Sequence, residues 1–219
     1  MQNLWKSINL NGIKAVLIDL DNTIYKYEDC HKYALRSCFL ELKKNNKKLK
    51  FEDFENNYKI AQQTVKEKLF NHGSGHSRLL YFKVFFENFY GKTQIKLSEK
   101  FESIYWKNFF KKIILVPGVM SFLKKCYKIN IKICIVSDLT TQVQFKKISY
   151  LKLEKYIDFV VTSEEAGSEK PSPDIFILAL KKLKLSKEDV LMIGDHYKKD
   201  IEGAKSFGIR NVYQISHNY

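Results

Sequence analysis

The spacing of hydrophobic positions changes twice along the chain, from a short apolar run to helical spacing and back to short runs after residue 113. The first run, residues 15–18, is apolar at every position, which is typical of a strand buried on both faces. Similar short runs, apolar at most positions, occur at residues 131–136, 157–161, 190–193 and 211–213. Helical spacing separates these later runs. Strands that alternate with helices predict an α/β fold with a parallel sheet and right-handed crossovers.

Residues 25–112 differ, because their apolar side chains recur only at helical spacing. Helices are predicted over residues 29–44, 51–70, 78–90 and 98–111, with Ser98 as an N-cap. Two glycines and their polar neighbours at residues 71–77 interrupt the pattern. Four helices with short connections form an antiparallel bundle. We therefore expect a four-helix bundle at residues 25–112, inserted into an α/β core formed by residues 1–24 and 113–219.

The formal net charge of +14 comes almost entirely from lysine. Arg36, Arg78 and Arg210 are the arginines, and the lysines are spread over every predicted helix. Proteins that read nucleic-acid sequence use arginine forks, so this composition favours solvated helix faces over nucleic-acid binding. The positive field would still attract an anionic substrate.

We expect neither a membrane span nor a secretory signal. No run approaches the length of about twenty apolar residues that a bilayer requires, and the first eleven residues are short and polar in the middle. The cysteines lack metal-binding spacing and are predicted to be reduced, mostly buried small hydrophobic side chains: Cys30, Cys38, Cys126 and Cys134. A cytoplasmic protein is therefore expected.

The first apolar run ends in two carboxylates, Asp19 and Asp21, separated by one residue. Burying a carboxylate is costly unless a cation or hydrogen bonds compensate, and open parallel sheets bind ligands beyond the carboxyl ends of their strands. Residues two apart start on the same side of an extended backbone, so one cation could touch both. A pair of turn-forming or helix-capping aspartates is the alternative for this motif alone.

Further polar groups follow the later apolar runs in order. Ser137 and Asp138 end one run, Lys170 stands in Lys-Pro-Ser-Pro-Asp, and Asp195 follows a Gly at the end of another, with Asp200 close behind. Together with Asp-x-Asp-x-Thr at residues 19–23, these motifs resemble the four motifs of the haloacid dehalogenase-like (HAD) hydrolase superfamily. The resemblance covers residues 14–24 and about 113–214.

This resemblance implies a Rossmann-like core and a helical cap that closes over the active site. Residues 162–167 are similar to the branch that contains sugar phosphate phosphatases, such as N-acylneuraminate-9-phosphatases, and pyrimidine nucleotidases. The implied reaction is hydrolysis of a small soluble phosphate monoester, with no nucleic-acid or membrane partner.

The resemblance also implies roles for the aspartates of the first motif. Asp19 would be the nucleophile that forms an aspartyl-phosphate. Asp21 would protonate the leaving alcohol, later activate water, and lend its backbone carbonyl to a metal. A cation held by Asp19, Asp21 and Asp195 would have oxygen ligands alone, which favours Mg²⁺ over zinc.

The other motifs would bind the transferring phosphoryl group. Ser137 and the backbone N–H of Asp138 would donate to a phosphate oxygen, while Lys170 would neutralise the nucleophile and the phosphate. Asp200 would orient Lys170 or a metal-bound water, and Thr23, grouped with the substrate-binding residues, would orient its turn by hydrogen bonding.

The break at residues 71–77 lies where related caps place residues that meet the substrate. His76 and Arg78 are therefore candidate substrate-binding residues, with Arg78 gripping a second anionic group. His72 lies in the same break, and His196 replaces a small residue that is usual beside the metal aspartate. A solvated turn explains the break equally well, and a tolerated substitution explains His196 better.

These observations predict a Mg²⁺-dependent HAD phosphatase. A phosphomutase would use the same residues and is the first alternative. A dehalogenase is disfavoured by Asp21, because a departing halide needs no proton and the haloacid dehalogenases lack this aspartate. A non-enzymatic module that binds through its basic surface is the alternative from a different class.

Overall fold

Five parallel strands form one sheet in the computed structural model of this chain, which describes residues 4–216. The strands are β1 (Ala15–Ile18), β2 (Lys132–Ser137), β3 (Phe159–Thr162), β4 (Val190–Gly194) and β5 (Asn211–Gln214). They are hydrogen-bonded in the order β3-β2-β1-β4-β5. All four side chains of β1 are completely buried, as a central parallel strand requires. The ends of the predicted core, residues 1–3 and 217–219, lie outside the described residues.

The strand register brings the carboxyl ends of the three central strands to one level. Ile18 of β1 pairs with Ile135 of β2 and with Ile193 of β4. The next residue, Asp19, continues this alignment, because its N–H donates to the Ile193 carbonyl at 2.9 Å. Residues that follow these strands therefore emerge together at one edge of the sheet.

A second compact unit, Tyr27–Ile113, lies in sequence between β1 and β2 and is helical. Its α-helices are α1 (Tyr27–Lys43), α2 (Phe51–Lys68), α3 (Arg78–Tyr90) and α4 (Ile95–Phe110). Helix α4 packs on α1 and α3, and α2 packs on α3. Aromatic rings fill the interior, with Phe86 and Phe101 in edge contact at 4.9 Å between centroids.

The start of α4 corrects one prediction. Ser98 is not an N-cap, since the helix begins at Ile95 and Gln94 occupies the cap position. Ser98 is buried in the first turn, and its hydroxyl donates to the Gln94 carbonyl at 2.8 Å. A serine inside a helix can satisfy its hydroxyl in this way, so its type alone did not determine the boundary.

The remaining helices belong to the unit that contains the sheet. They are α5 (Val119–Lys128), α6 (Thr141–Tyr150), α7 (Ser163–Ala166), α8 (Pro173–Leu183) and α9 (Gly203–Phe207). Pro173 stands in the first turn of α8, where its missing N–H costs nothing. Gly208, with φ of 108°, ends α9 as predicted. The inner face of α8 packs on the sheet through Ile175, Phe176 and Ala179. The α/β fold with a parallel sheet is therefore confirmed.

The structure also bears on the predictions about membrane spans and cysteines. Within residues 4–216, no helix combines the length and the apolar character needed to cross a bilayer. The thiols of the cysteines are all buried, as predicted.

Candidate active site

A buried ammonium joins two buried carboxylates where β1 ends. Asp19 and Lys170 are 6% and 3% exposed. Lys170 Nζ donates to Asp19 Oδ1 at 2.6 Å, to Asp200 Oδ1 at 2.7 Å and to the Val136 carbonyl at 3.0 Å. Because an ammonium has three hydrogens, these three acceptors fix both its charge and its position.

Three carboxylates converge at this point. One oxygen each of Asp19, Asp195 and Asp200 lies within 4.8 Å of the others. Thr23 Oγ1 lies 3.0 Å from Asp19 Oδ2 and 3.3 Å from Asp195 Oδ1, so its hydroxyl spans two of them. Such a set of hard oxygens could hold a divalent cation. Asp21 is not part of this carboxylate set among the described residues.

The electrostatics of the cluster also favour a bound cation. Burial raises the pKa of Asp19 well above its usual range; Lys170 opposes this shift, and Asp200 and Asp195 add to it. Burial and the Asp200 carboxylate likewise raise the pKa of Asp195. Burial by itself would lower the pKa of Lys170, but Asp19 and Asp200 raise it on balance. A divalent cation would supply the positive charge that the three carboxylates lack.

A π-helical turn, Tyr197–Glu202, presents Asp200 to the cluster. The predicted helix over residues 198–207 is α-helical only in α9, because the wider turn comes first. The backbone N–H of His196 donates to Asp200 Oδ2 at 3.0 Å, and its Nδ1 accepts from the Lys199 N–H at 3.3 Å. Gly194 is required here, since a Cβ would overlap the Asp200 carboxylate. Isolated π turns occur frequently at functional sites.

Ser137 and Asp138 follow β2 with different partners. Ser137 is 1% exposed, and its Oγ accepts a hydrogen bond from Gln144 Nε2 at 2.6 Å. Its own hydroxyl hydrogen is then available for another acceptor. Asp138 Oδ1 accepts from the Lys170 backbone N–H at 2.9 Å, and Lys199 Nζ contacts Asp138 Oδ2 at 2.7 Å. The Asp138 side chain therefore ties the Lys170 loop to the end of β2.

The carboxylate of Asp21 is held by a separate set of side chains. Lys147 Nζ contacts its two oxygens at 2.7 Å and 2.8 Å, and the Tyr25 hydroxyl donates to Oδ1. Gln144 Nε2 lies 3.5 Å from Oδ2. Burial alone would raise the pKa of Asp21, but the Lys147 ammonium and these hydrogen bonds lower it on balance.

Sequence reasoning missed Lys147, Gln144, Tyr25 and Lys199 as members of this region. The sequence carries no clear signal for the inward face of α6, where buried positions 144, 147 and 148 follow helical spacing but exposed aromatic residues on the same helix obscure this face. A glutamine and a lysine occupy two of these inward positions. Polar side chains at buried positions need partners in the interior.

The cap candidates lie together within the helical unit. Arg78 is 3% exposed; its Nη1 donates to the His76 carbonyl at 2.6 Å and its Nη2 to the Tyr27 hydroxyl. Its Nε–H is buried and has no hydrogen-bond partner among residues 4–216. The rings of Tyr105 and Trp106 lie 5.3 Å and 5.4 Å from the guanidinium carbon. Substrate binding by Arg78 and His76 stays a prediction.

Residues 13–208 match the haloacid dehalogenase-like hydrolases, and the chain belongs to this family. The ribulose-1,5-bisphosphate 5-phosphatase of Halopiger xanaduensis is 32% identical over 198 residues, which cover 90% of this chain and 83% of that protein. The glyceraldehyde 3-phosphate phosphatase of Methanopyrus kandleri is 30% identical over 200 residues, covering 91% and 83%.

A solved structure supports the same assignment at the level of the fold. The crystal structure of a HAD phosphatase from Thermococcus onnurineus has a TM-score of 0.73 and 23% identity, covering 94% of this chain and 87% of that one. The predicted membership of the HAD superfamily, as an enzyme of its phosphatase branch, is confirmed.

Proposed function

We propose that this protein is a Mg²⁺-dependent phosphatase that hydrolyses a small phosphate monoester through an aspartyl-phosphate intermediate. The observation that carries the proposal is the buried contact of Lys170 with Asp19 and Asp200, beside Asp195. Relatives named for ribulose-1,5-bisphosphate and glyceraldehyde 3-phosphate favour a phosphorylated sugar over a nucleotide.

The nucleophile in this proposal is Asp19. Lys170 and Thr23 hold its two oxygens at 2.6 Å and 3.0 Å, so the carboxylate is oriented before substrate arrives. One Asp19 oxygen bonds to phosphorus while the bond from phosphorus to the leaving oxygen breaks. Asp21, whose pKa the dianionic phosphate would raise against the lowering effect of Lys147, gives its proton to that oxygen, which departs as an alcohol.

The second half of the reaction regenerates the enzyme. Asp21, now a carboxylate, takes a proton from water as the water oxygen attacks phosphorus. The bond between phosphorus and Asp19 breaks, and inorganic phosphate is released. The Ser137 hydroxyl, the Asp138 backbone N–H and the Lys170 ammonium would stabilise charge on the phosphoryl oxygens in both steps.

The metal proposal rests on the donor set. Asp19 and Asp195, whose carboxylates lie close together, would hold Mg²⁺ with the backbone carbonyl of Asp21, and Asp200 would orient Lys170 or a metal-bound water. When bound, Mg²⁺ would neutralise negative charge on the nucleophile and the phosphoryl group. We also propose that Arg78 and His76 bind the part of the substrate that does not react. The guanidinium of Arg78 suits a second anionic group.

The substitution Asp19→Asn tests the proposal. It keeps the side-chain shape but removes the nucleophilic oxygen, so turnover of p-nitrophenyl phosphate and of sugar phosphates should fall on the order of 10³-fold or more. Glu154→Gln, the same change at an exposed position, should leave activity unchanged. Excess EDTA should abolish wild-type activity, and Mg²⁺ should restore it. Full activity of the Asp19→Asn enzyme would contradict the nucleophile, and activity in EDTA would contradict the metal.

A further inference from the structure

Helix α6 carries a lysine that contacts the acid–base aspartate of the proposed reaction. Lys147 is completely buried, and its Nζ lies 2.7 Å and 2.8 Å from the two oxygens of Asp21. The Asp21 side chain is 18% exposed, so the pair stands where the interior meets solvent. An ammonium that contacts both oxygens limits rotation of the carboxylate about its terminal bonds.

The neighbouring contacts belong to the same arrangement. The Tyr25 hydroxyl donates to Asp21 Oδ1, and Lys147 Nζ lies 5.7 Å from the centre of the Tyr25 ring. One turn earlier on α6, Gln144 donates to Ser137 Oγ at 2.6 Å and lies 3.4 Å from the Asp138 carbonyl. The inner face of α6 therefore contacts groups that the proposed function assigns to both proton transfer and phosphate binding.

A purely structural role would not favour this pair. Replacing a buried ion pair with well-packed apolar residues is often neutral or stabilising, so packing alone gives no reason for a lysine at this position. Proton transfer gives such a reason, because a general acid must be held within hydrogen-bond reach of the leaving oxygen.

We infer that Lys147 is a positioning residue that holds the Asp21 carboxyl group in place for proton transfer to the leaving group. This inference rests on the proposed function. It predicts that Lys147 matters for substrates whose alkoxide leaves poorly, such as sugar phosphates. It matters little for p-nitrophenyl phosphate, because p-nitrophenolate departs without needing a proton.

The experiment compares Lys147→Met with wild type on both substrates in the presence of Mg²⁺. The quantity is kcat/KM, which reports the steps through the first bond cleavage and so includes departure of the leaving group. We expect kcat/KM to fall about 10²-fold for a sugar phosphate and less than about threefold for p-nitrophenyl phosphate. Asp21→Asn should likewise lower kcat/KM more for the sugar phosphate than for p-nitrophenyl phosphate. The variant that combines Lys147→Met with Asp21→Asn should be no more selective than Asp21→Asn alone.

Two further variants separate positioning from folding. Lys146→Met makes the same change at the exposed neighbouring residue and should leave both rates unchanged. Lys147→Arg keeps the charge but alters the geometry, so its selective loss of kcat/KM for the sugar phosphate should be smaller than that of Lys147→Met. This variant still tests the inference if Lys147→Met fails to fold. Suppose that Asp21→Asn is selective but the folded Lys147 variants lose activity equally on both substrates, or lose none. That result would overturn the inference about Lys147 and leave the proposed function intact. An Asp21→Asn enzyme without selectivity would contradict the acid role in the proposed function as well.

Discussion

The two units of the molecule bury positive charge in different ways. In the unit with the sheet, Lys170 contacts Asp19 and Asp200, and Lys147 contacts Asp21. In the helical unit, the buried Arg78 donates to a carbonyl and a tyrosine hydroxyl, with aromatic rings around it. A charge paired with carboxylates cannot be removed without leaving opposite charge buried. A charge that faces neutral acceptors leaves only unfilled hydrogen bonds behind.

The largest effect in this comparison should come from Lys170→Met. The substitution leaves Asp19 and Asp200 buried without their cation, so the free energy of unfolding should fall by about 3–5 kcal/mol. Denaturant unfolding in EDTA measures this loss without a divalent cation to replace the missing charge.

Lys181→Met is the matched control, because it makes the same change at an exposed position of α8. Its effect should stay within about 0.5 kcal/mol. A loss below about 1 kcal/mol for Lys170→Met would contradict the expected cost of an unpaired buried charge, since the carboxylates would then tolerate the loss of their partner.

An intermediate effect should appear as a pH dependence of stability caused by His31. Burial, together with the Arg78 charge, lowers the pKa of His31 to about 3. In the unfolded chain a histidine takes up its proton near pH 6.5. Between these two values the unfolded state binds a proton that the folded state does not, so stability falls as the pH drops below about 6.5 and is constant above it.

His31→Phe should remove this contribution. The wild-type loss of unfolding free energy between pH 8 and pH 5 should exceed that of the variant by about 2 kcal/mol. His72→Asn should keep the wild-type pH dependence, because His72 is exposed and asparagine can replace it as an N-cap. If the unfolding free energy had the same pH dependence in wild type and His31→Phe, burial and the Arg78 charge would not be what keeps His31 neutral.

The smallest effect on stability should come from Arg78→Met. Its loss leaves the His76 carbonyl and the Tyr27 hydroxyl without one donor each, which should cost about 1 kcal/mol. Arg36→Met, at an exposed position of α1, should cost less. A loss as large as that of Lys170→Met would show that aromatic and carbonyl groups stabilise a buried cation as strongly as carboxylates do.

Arg78→Met also tests the proposal that Arg78 binds substrate. If Arg78 binds a second anionic group, the KM for a sugar bisphosphate should rise about tenfold more than the KM for a sugar monophosphate. Equal changes in both KM values would assign Arg78 to the packing of the helical unit alone.

Much of the fold follows from local patterns. The apolar run at residues 15–18 is strand β1, and the run at residues 190–193 is β4 within one residue. Boundaries were less predictable, since β3 begins at Phe159 rather than at 157 and α4 begins three residues before Ser98. Strand and helix ends depend on tertiary contacts as well as on local preference.

Some residues of the candidate site were predictable from the sequence and others were not. Asp19, Lys170, Asp195 and Asp200 stand in recognisable motifs after strands, and the structure places them together. Lys147 and Gln144 belong to no such motif, and their burial on α6 is known only from the structure. Their partners are not readable, because Lys147 and Asp21 are 126 residues apart in the chain.

The parallel sheet, and the edge at which its polar groups emerge, can be predicted from local sequence, because strand periodicity and strand ends are local properties. Which buried charges contact one another depends on the packing of distant segments. Asp19 and Lys170 are 151 residues apart and lie 2.6 Å from each other. Such a contact depends on how distant segments pack, and the free energy of a buried charge depends on the partner that packing supplies.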